Sequence, residues 1–232
     1  MQKIKLRQLE VYPFDDAEKL IDFADGRKGI LVAVNALKIA NANEVTIPII
    51  NNNIGYCDGA GAVMAARQKG ATGCSKIAGC ELWLKIIERY HGKRSFYLVG
   101  ASPKVHQAVI DKLRSEYPDI DIAGHRDGYI ADSAARQALI DDVARTKPDF
   151  VFVAMGSPKQ EILMADMLKR HRAVYQGLGG SFDVYTGAVQ RAPRWWIDHN
   201  LEFAYRLLRQ PKRLGRNLKY IPFVWWLIAR RF

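Results

Sequence analysis

With 232 residues, 49% hydrophobic and 25% charged, the chain has the composition of a globular protein and the length to bury a core without staples, which excludes disordered and collagen-like classes. Thirty-five Lys and Arg against 24 Asp and Glu leave a formal charge of +11, so polyanions, anionic lipids and phosphorylated substrates are all candidate partners.

In chain order, the opening stretch from Met1 to Phe14 lacks the apolar core of a secretory leader, and no later run approaches the roughly 20 residues that span a bilayer. Apolar runs starting at Gly29, Ser95, Asp119, Asp149 and Ala173 have the length and the β-branched or aromatic content of buried strands, and a further short strand is predicted before Asp58. Between them lie helical patterns. In residues 103–117, Val105, Val109, Ile110 and Leu113 share one face, and residues 134–146 and 161–171 read similarly. This alternation predicts an α/β, Rossmann-like, mostly parallel sheet with helices on both faces.

In such a sheet, ligands bind beyond the carboxyl ends of the strands. The polar and glycine-rich turns fall there: Asn35, Gly100-Ala-Ser-Pro103, Gly156-Ser-Pro-Lys-Gln-Glu161 and Gly177-Leu-Gly-Gly-Ser-Phe-Asp183. None is a Walker A loop or a complete dinucleotide fingerprint, which disfavours a Rossmann-type oxidoreductase. Each loop is open to two readings, a phosphate cradle or a tight turn. Asp58, between a strand and the small-residue helix 62–67, is either a general base or a helix cap. Asp119-Ile-Asp121 has the spacing of a metal-holding acidic pair but stands at the start of its strand, where a solvated surface is the expected reading. Cys57, Cys74 and Cys80, odd in number, fit no zinc or thioredoxin spacing and point to a reducing compartment, and the five histidines show no ligand spacing, so no metal site is predicted.

Residues 191–232 hold ten basic residues and two acidic ones, so they carry +8 of the chain's +11. Arg206, Arg209, Arg213 and Arg216 recur at helical intervals beside an apolar stripe of Leu207, Leu214, Leu218 and Ile221, with Trp195, Trp196, Trp225 and Trp226 at either end. This is either a packed helix with a solvated basic face or a segment that meets a membrane surface or a polyanion. The expected organisation is a catalytic domain over residues 1–193 and a helical, membrane-associating appendage over 194–232. A nucleic-acid-binding module is the rival from another class, but no recognition helix or RNA-binding motif is present.

Taken together, these strings resemble the WecG/TagA/CpsF family of bacterial glycosyltransferases, glycosyltransferase family 26. The resemblance rests on Asn35, Asp58-Gly-Ala-Gly61 with Ala65-Ala-Arg67, Ala78-Gly-Cys-Glu-Leu82, Gly156-Ser-Pro-Lys-Gln-Glu161, Gly179-Gly-Ser-Phe-Asp183, Gly187, Arg191-Ala-Pro193, and Leu201-Glu202 through Arg213. Cys57, Asn200 and Phe203 depart from the usual Ala, Gly and Trp, and Ala33 stands where some members carry Thr.

The resemblance implies inverting, metal-independent transfer of an N-acetylmannosamine-type sugar, uronic acid or neutral, from UDP to the 4-hydroxyl of N-acetylglucosamine on undecaprenyl diphosphate. The setting it implies is the cytoplasmic face of the membrane, during synthesis of enterobacterial common antigen, teichoic acid or capsule. It makes Asp58 the general base and has Arg206, Arg213 and Arg216 close over the donor diphosphate. Asn35 and Gln160 would orient donor or acceptor, and Gly156, Ser157, Lys159, Gly179, Gly180, Asp183 and Arg191 would bind substrate. No cofactor is implied, and a homo-oligomer is compatible. For a uronic acid donor, Lys38, Lys76, Lys159 and Arg191 are the cations considered.

Overall fold

The computed structural model describes residues 1–193, 195–196, 205 and 220–232. Arg206, Arg213 and Arg216, with most of the predicted appendage helix, lie outside the described residues.

The chain opens with an antiparallel hairpin, β1 (Ile4–Leu6) and β2 (Leu9–Val11), and helix α1 (Ala17–Arg27), whose first turn is capped by Asp16 accepting from the Lys19 N–H. The predicted strands follow as β3 (Gly29–Val34), β4 (Ile54–Cys57), β5 (Ser95–Gly100), β6 (Asp121–Arg126), β7 (Phe150–Ala154) and β8 (Val174–Gly177). They form one six-stranded sheet in the order β4-β3-β8-β7-β5-β6, and every pairing is parallel.

The helices between them are α2 (Ala36–Ala40), α3 (Thr46–Asn51), α4 (Ala60–Gln68), α5 (Gly79–Tyr90), α6 (Pro103–Glu116), α7 (Ser133–Thr146), α8 (Lys159–Arg170) and α9 (Ser181–Tyr185), with α10 (Tyr220–Ile228) near the C-terminus. The predicted apolar face of α6 is buried at Val109, Ile110 and Leu113, and its start is set by Ser102, whose hydroxyl accepts from the Val105 N–H, and by Pro103.

Side-chain alternation along the strands divides the core into two layers. Ile30, Val32, Val34, Tyr97, Val99, Val151 and Val153 face the hairpin, α4, α7, α8 and α10. Leu31, Phe96, Leu98, Phe150 and Phe152 face α1, α5 and α6, where Trp83 is fully buried edge-on to Phe152 and Phe182. The β4 edge is sheltered by the chain leaving the hairpin. The Tyr12 N–H donates to the Gly55 carbonyl at 2.8 Å, and a Cβ on Gly55 would stand 2.7 Å from the Glu10 carbonyl oxygen.

Candidate active site

Parallel pairing places the turns after β3, β4, β7 and β8 on one edge of the sheet. Val34 lies opposite Cys57, and the Asp58 N–H donates to the Val34 carbonyl at 2.8 Å, so Asn35 and Asp58 leave adjacent strands side by side. Asn35 is the N-cap of α2, its Oδ1 accepting from the Lys38 N–H at 3.0 Å. Asp58 does not occupy the cap of α4. That position belongs to Gly59, so Asp58 stands one residue ahead of the cap.

The turn after β7 is organised by Gln160, which is 4% exposed and folds back from the first turn of α8. Its Oε1 accepts from the Gly156 N–H at 3.1 Å and from the Gly179 N–H at 2.9 Å, joining the β7 and β8 turns. Both glycines have left-handed backbone, φ 77° and 58°, where a side chain would be strained. The Ser157–Pro158 peptide between them and Gln160 is cis. Thus Gly156, Ser157, Lys159, Gln160 and Gly179 belong to one connected pair of loops. Ser157 and Lys159 are exposed.

Beside Gln160, Glu161 is buried and forms an ion pair with Lys38 at 2.6 Å, with side-chain exposures of 2% and 15%. Gln160 Nε2 also donates to Glu161 Oε1 at 3.3 Å. Burial works most strongly against ionisation of Glu161. The Lys38 ammonium, by charge and hydrogen bond, and the Ser157 hydroxyl outweigh it and hold the carboxyl below the usual range.

On the other face, the string Ala78-Gly-Cys-Glu-Leu82 begins α5 directly beneath Asp58. The Ile77 N–H donates to the Cys57 carbonyl at 3.0 Å, and Gln176 Nε2 donates to the Gly79 carbonyl at 2.9 Å. A Cβ on Gly79 would stand 2.9 Å from the Tyr56 hydroxyl and 3.3 Å from the Ala33 Cβ, so only glycine lets α5 approach this closely. Burial, then the Asp58 charge, raises the Tyr56 phenol well above its usual range, so it is a neutral neighbour of Asp58.

The remaining predicted positions are held nearby. Gly180 is the N-cap of α9, Phe182 is fully buried against Trp83, and Asp183 follows it in the first turn of that helix. Arg191 pairs with Glu81 of α5 at 2.7 Å. Of the cations considered for a donor carboxylate, Lys38 and Arg191 therefore already face carboxylates of the chain itself, while Lys76 and Lys159 are exposed.

Helix α10 closes the side of the site. A Cβ on Gly61 would come within 2.9 Å of the Phe223 ring and 3.4 Å of the Ala36 Cβ, so Phe223, itself buried, seats α10 where α2 and α4 begin. Gln68 Nε2 donates to the Leu227 carbonyl at 2.9 Å, and the Arg7 guanidinium stacks 4.1 Å from the Trp226 ring. Val224, Trp225 and Ile228 on the same helix are exposed, as is Trp195.

Asp119 stands at the opposite edge, exposed and paired with His91 at 2.8 Å, as its solvated reading expects. Among the described residues no group of three or more His, Cys, Asp or Glu side chains is gathered as a ligand set. No described helix is long and apolar enough to cross a membrane. The Lys38–Glu161 pair, the fit of Phe223 on Gly61 and the bracing role of Gln160 are not part of the sequence reading. Only the glycines and the Lys-Gln-Glu string marked their places.

Compared with known families, residues 5–232 match the sequence model described as Glycosyl transferase WecG/TagA/CpsF family.

Proposed function

The chain belongs to the WecG/TagA/CpsF glycosyltransferase family, and from that premise we propose that it moves an N-acetylmannosamine-type sugar, uronic acid or neutral, from UDP to N-acetylglucosamine on undecaprenyl diphosphate. The observation that carries this reading is the juxtaposition at one sheet edge of the Asp58 carboxylate, Asn35 and the Gln160-braced loops.

In the proposed reaction Asp58 accepts the proton of the acceptor 4-hydroxyl as that oxygen bonds to the anomeric carbon. The carbon–oxygen bond to the diphosphate breaks from the opposite side, inverting the centre, and UDP departs with the electron pair. Asn35 and the turns at Gly156, Ser157, Gly179 and Gly180 hold the donor, with Lys159, Gln160, Asp183 and Arg191 around them. The helices α4 and α8 begin at this edge, and their positive ends favour a diphosphate. Charge on the leaving group needs fixed cations, and Arg206, Arg213 and Arg216 are assigned to it, since a guanidinium fork suits phosphate oxygens. No metal or other cofactor is assigned a role.

We place the enzyme on the cytoplasmic face of the membrane. Support comes from the exposed Val224, Trp225 and Ile228 of α10, with Arg230 and Arg231 beside them, an apolar and basic pairing that suits an anionic lipid surface. Because Phe223 of this helix also touches Gly61, lipid contact and the Asp58 helix share one element.

Asp58→Asn tests the base. It keeps the shape and removes the proton acceptor, so kcat is expected to fall about 10²–10⁴-fold with unchanged thermal unfolding. Full transfer by a folded Asp58→Asn enzyme would move the base elsewhere.

A further inference from the structure

Lys38 and Glu161 are 123 positions apart, yet they form the ion pair that joins α2 to α8 at 2.6 Å, almost wholly out of solvent. Each is one step from a residue already placed at the site. Lys38 lies in the turn of α2 that Asn35 caps, through its own backbone N–H. Glu161 follows Gln160 and accepts from its Nε2, while Gln160 Oε1 holds the Gly156 and Gly179 amides. A continuous path therefore runs from the Asn35 cap through Lys38, Glu161 and Gln160 to the two glycine turns. One Glu161 oxygen, Oε2, has no hydrogen-bond partner of normal geometry despite its burial, and the other, Oε1, takes both the Lys38 ammonium and Gln160 Nε2.

We propose that Lys38 and Glu161 are positioning residues that clamp the Asn35 cap to the Gln160-braced turns, setting the separation of the two sides of the donor pocket. This rests on the glycosyltransferase reading for its effect on catalysis, but the clamp itself has a consequence in the resting protein. Without Lys38, Glu161 binds a proton at higher pH, and its hold on Gln160 weakens as that happens. A buried ion pair is a poor source of stability compared with neutral groups of similar shape, so a positional task explains its presence better than a stabilising one.

The test compares Lys38→Met, Lys38→Arg and the double variant Lys38→Met/Glu161→Gln in the full chain. Hydrogen exchange, read without substrate, is expected to show lost protection at the Gly156 and Gly179 amides in Lys38→Met and retained protection in Lys38→Arg. In transfer assays, kcat/KM for the donor is expected to drop about 10–100-fold in Lys38→Met, the scale of cost for slightly misplaced groups. Its acidic limb should move to higher pH than in the wild type, because the carboxyl that Lys38 kept ionised now protonates sooner. The double variant, which lacks the stranded charge, separates a folding defect from lost positioning: it should melt like the wild type and keep the low kcat/KM.

Wild-type protection at both amides in Lys38→Met would overturn the clamp, as would a double variant that recovers wild-type kcat/KM. A wild-type enzyme that transfers no sugar would instead count against the functional reading, with the exchange experiment still deciding the clamp.

Discussion

At the scale of single residues, one side chain can join two turns that lie far apart in the sequence. Gln160 shows this in its burial and in the two backbone amides it receives. Replacing it with Ala leaves both amides without their acceptor, and a buried donor so stranded costs about 1–3 kcal/mol. Gln160→Ala is therefore expected to lower unfolding free energy by at least that amount in urea, and unchanged stability would show that the turns hold themselves. Asn35 and Asp58 were readable as candidate site residues because they directly follow apolar strands. The task of Gln160 was not, since it depends on Gly179, which lies 19 positions on and is reached through another strand. The Lys38–Glu161 pair was hidden for the same reason at greater distance: nothing local marks which of many charged residues meet between helices on one face of a parallel sheet.

At the scale of elements, the six sheet strands and helices α4, α6, α7 and α8 followed from local signals, while the hairpin and helices α1, α2, α3 and α5 were not read from them. Strands β3, β5, β7 and β8 are runs of apolar residues, and α6 has its buried face at helical spacing. By contrast, β1 and β2 have three residues each, and α2 has five, too few for a period to show. Their shape comes from tertiary partners, with the hairpin lying on the core and α2 meeting α10. The Asp-Gly-x-Gly string likewise stood out as a motif before its steric reason was visible, which is the seat that Gly61 offers Phe223. Gly61→Ala is expected to destabilise the docking of α10 by about 1–3 kcal/mol, the usual cost of overpacking a fitted contact. Limited proteolysis should then release the C-terminal residues faster than in the wild type, and an unchanged cleavage rate would mean that α10 is held mainly by Trp226 and Leu227.

At the scale of the whole molecule, the charge is divided unevenly between two regions. Most of the +11 lies after Gln190, while the carboxyl edge of the sheet, where Asp58, Lys38 and Glu161 stand, has its charges matched in part within the chain. The all-parallel sheet brings the β3, β4, β7 and β8 turns together, and α10 packs against the same edge through Phe223. The proposed function asks for such an arrangement, since it takes one substrate from solution and the other from a lipid surface.

The most direct measurement is transfer by the full-length enzyme to N-acetylglucosamine-diphospho-polyprenol in anionic vesicles, offered UDP-N-acetylmannosamine, its uronic acid and other UDP-sugars in turn. Product mass and linkage should show one N-acetylmannosamine-type sugar joined to the acceptor 4-hydroxyl with inverted anomeric configuration. Transfer of a different sugar, retention of configuration, or no transfer from any UDP donor would contradict the proposed function.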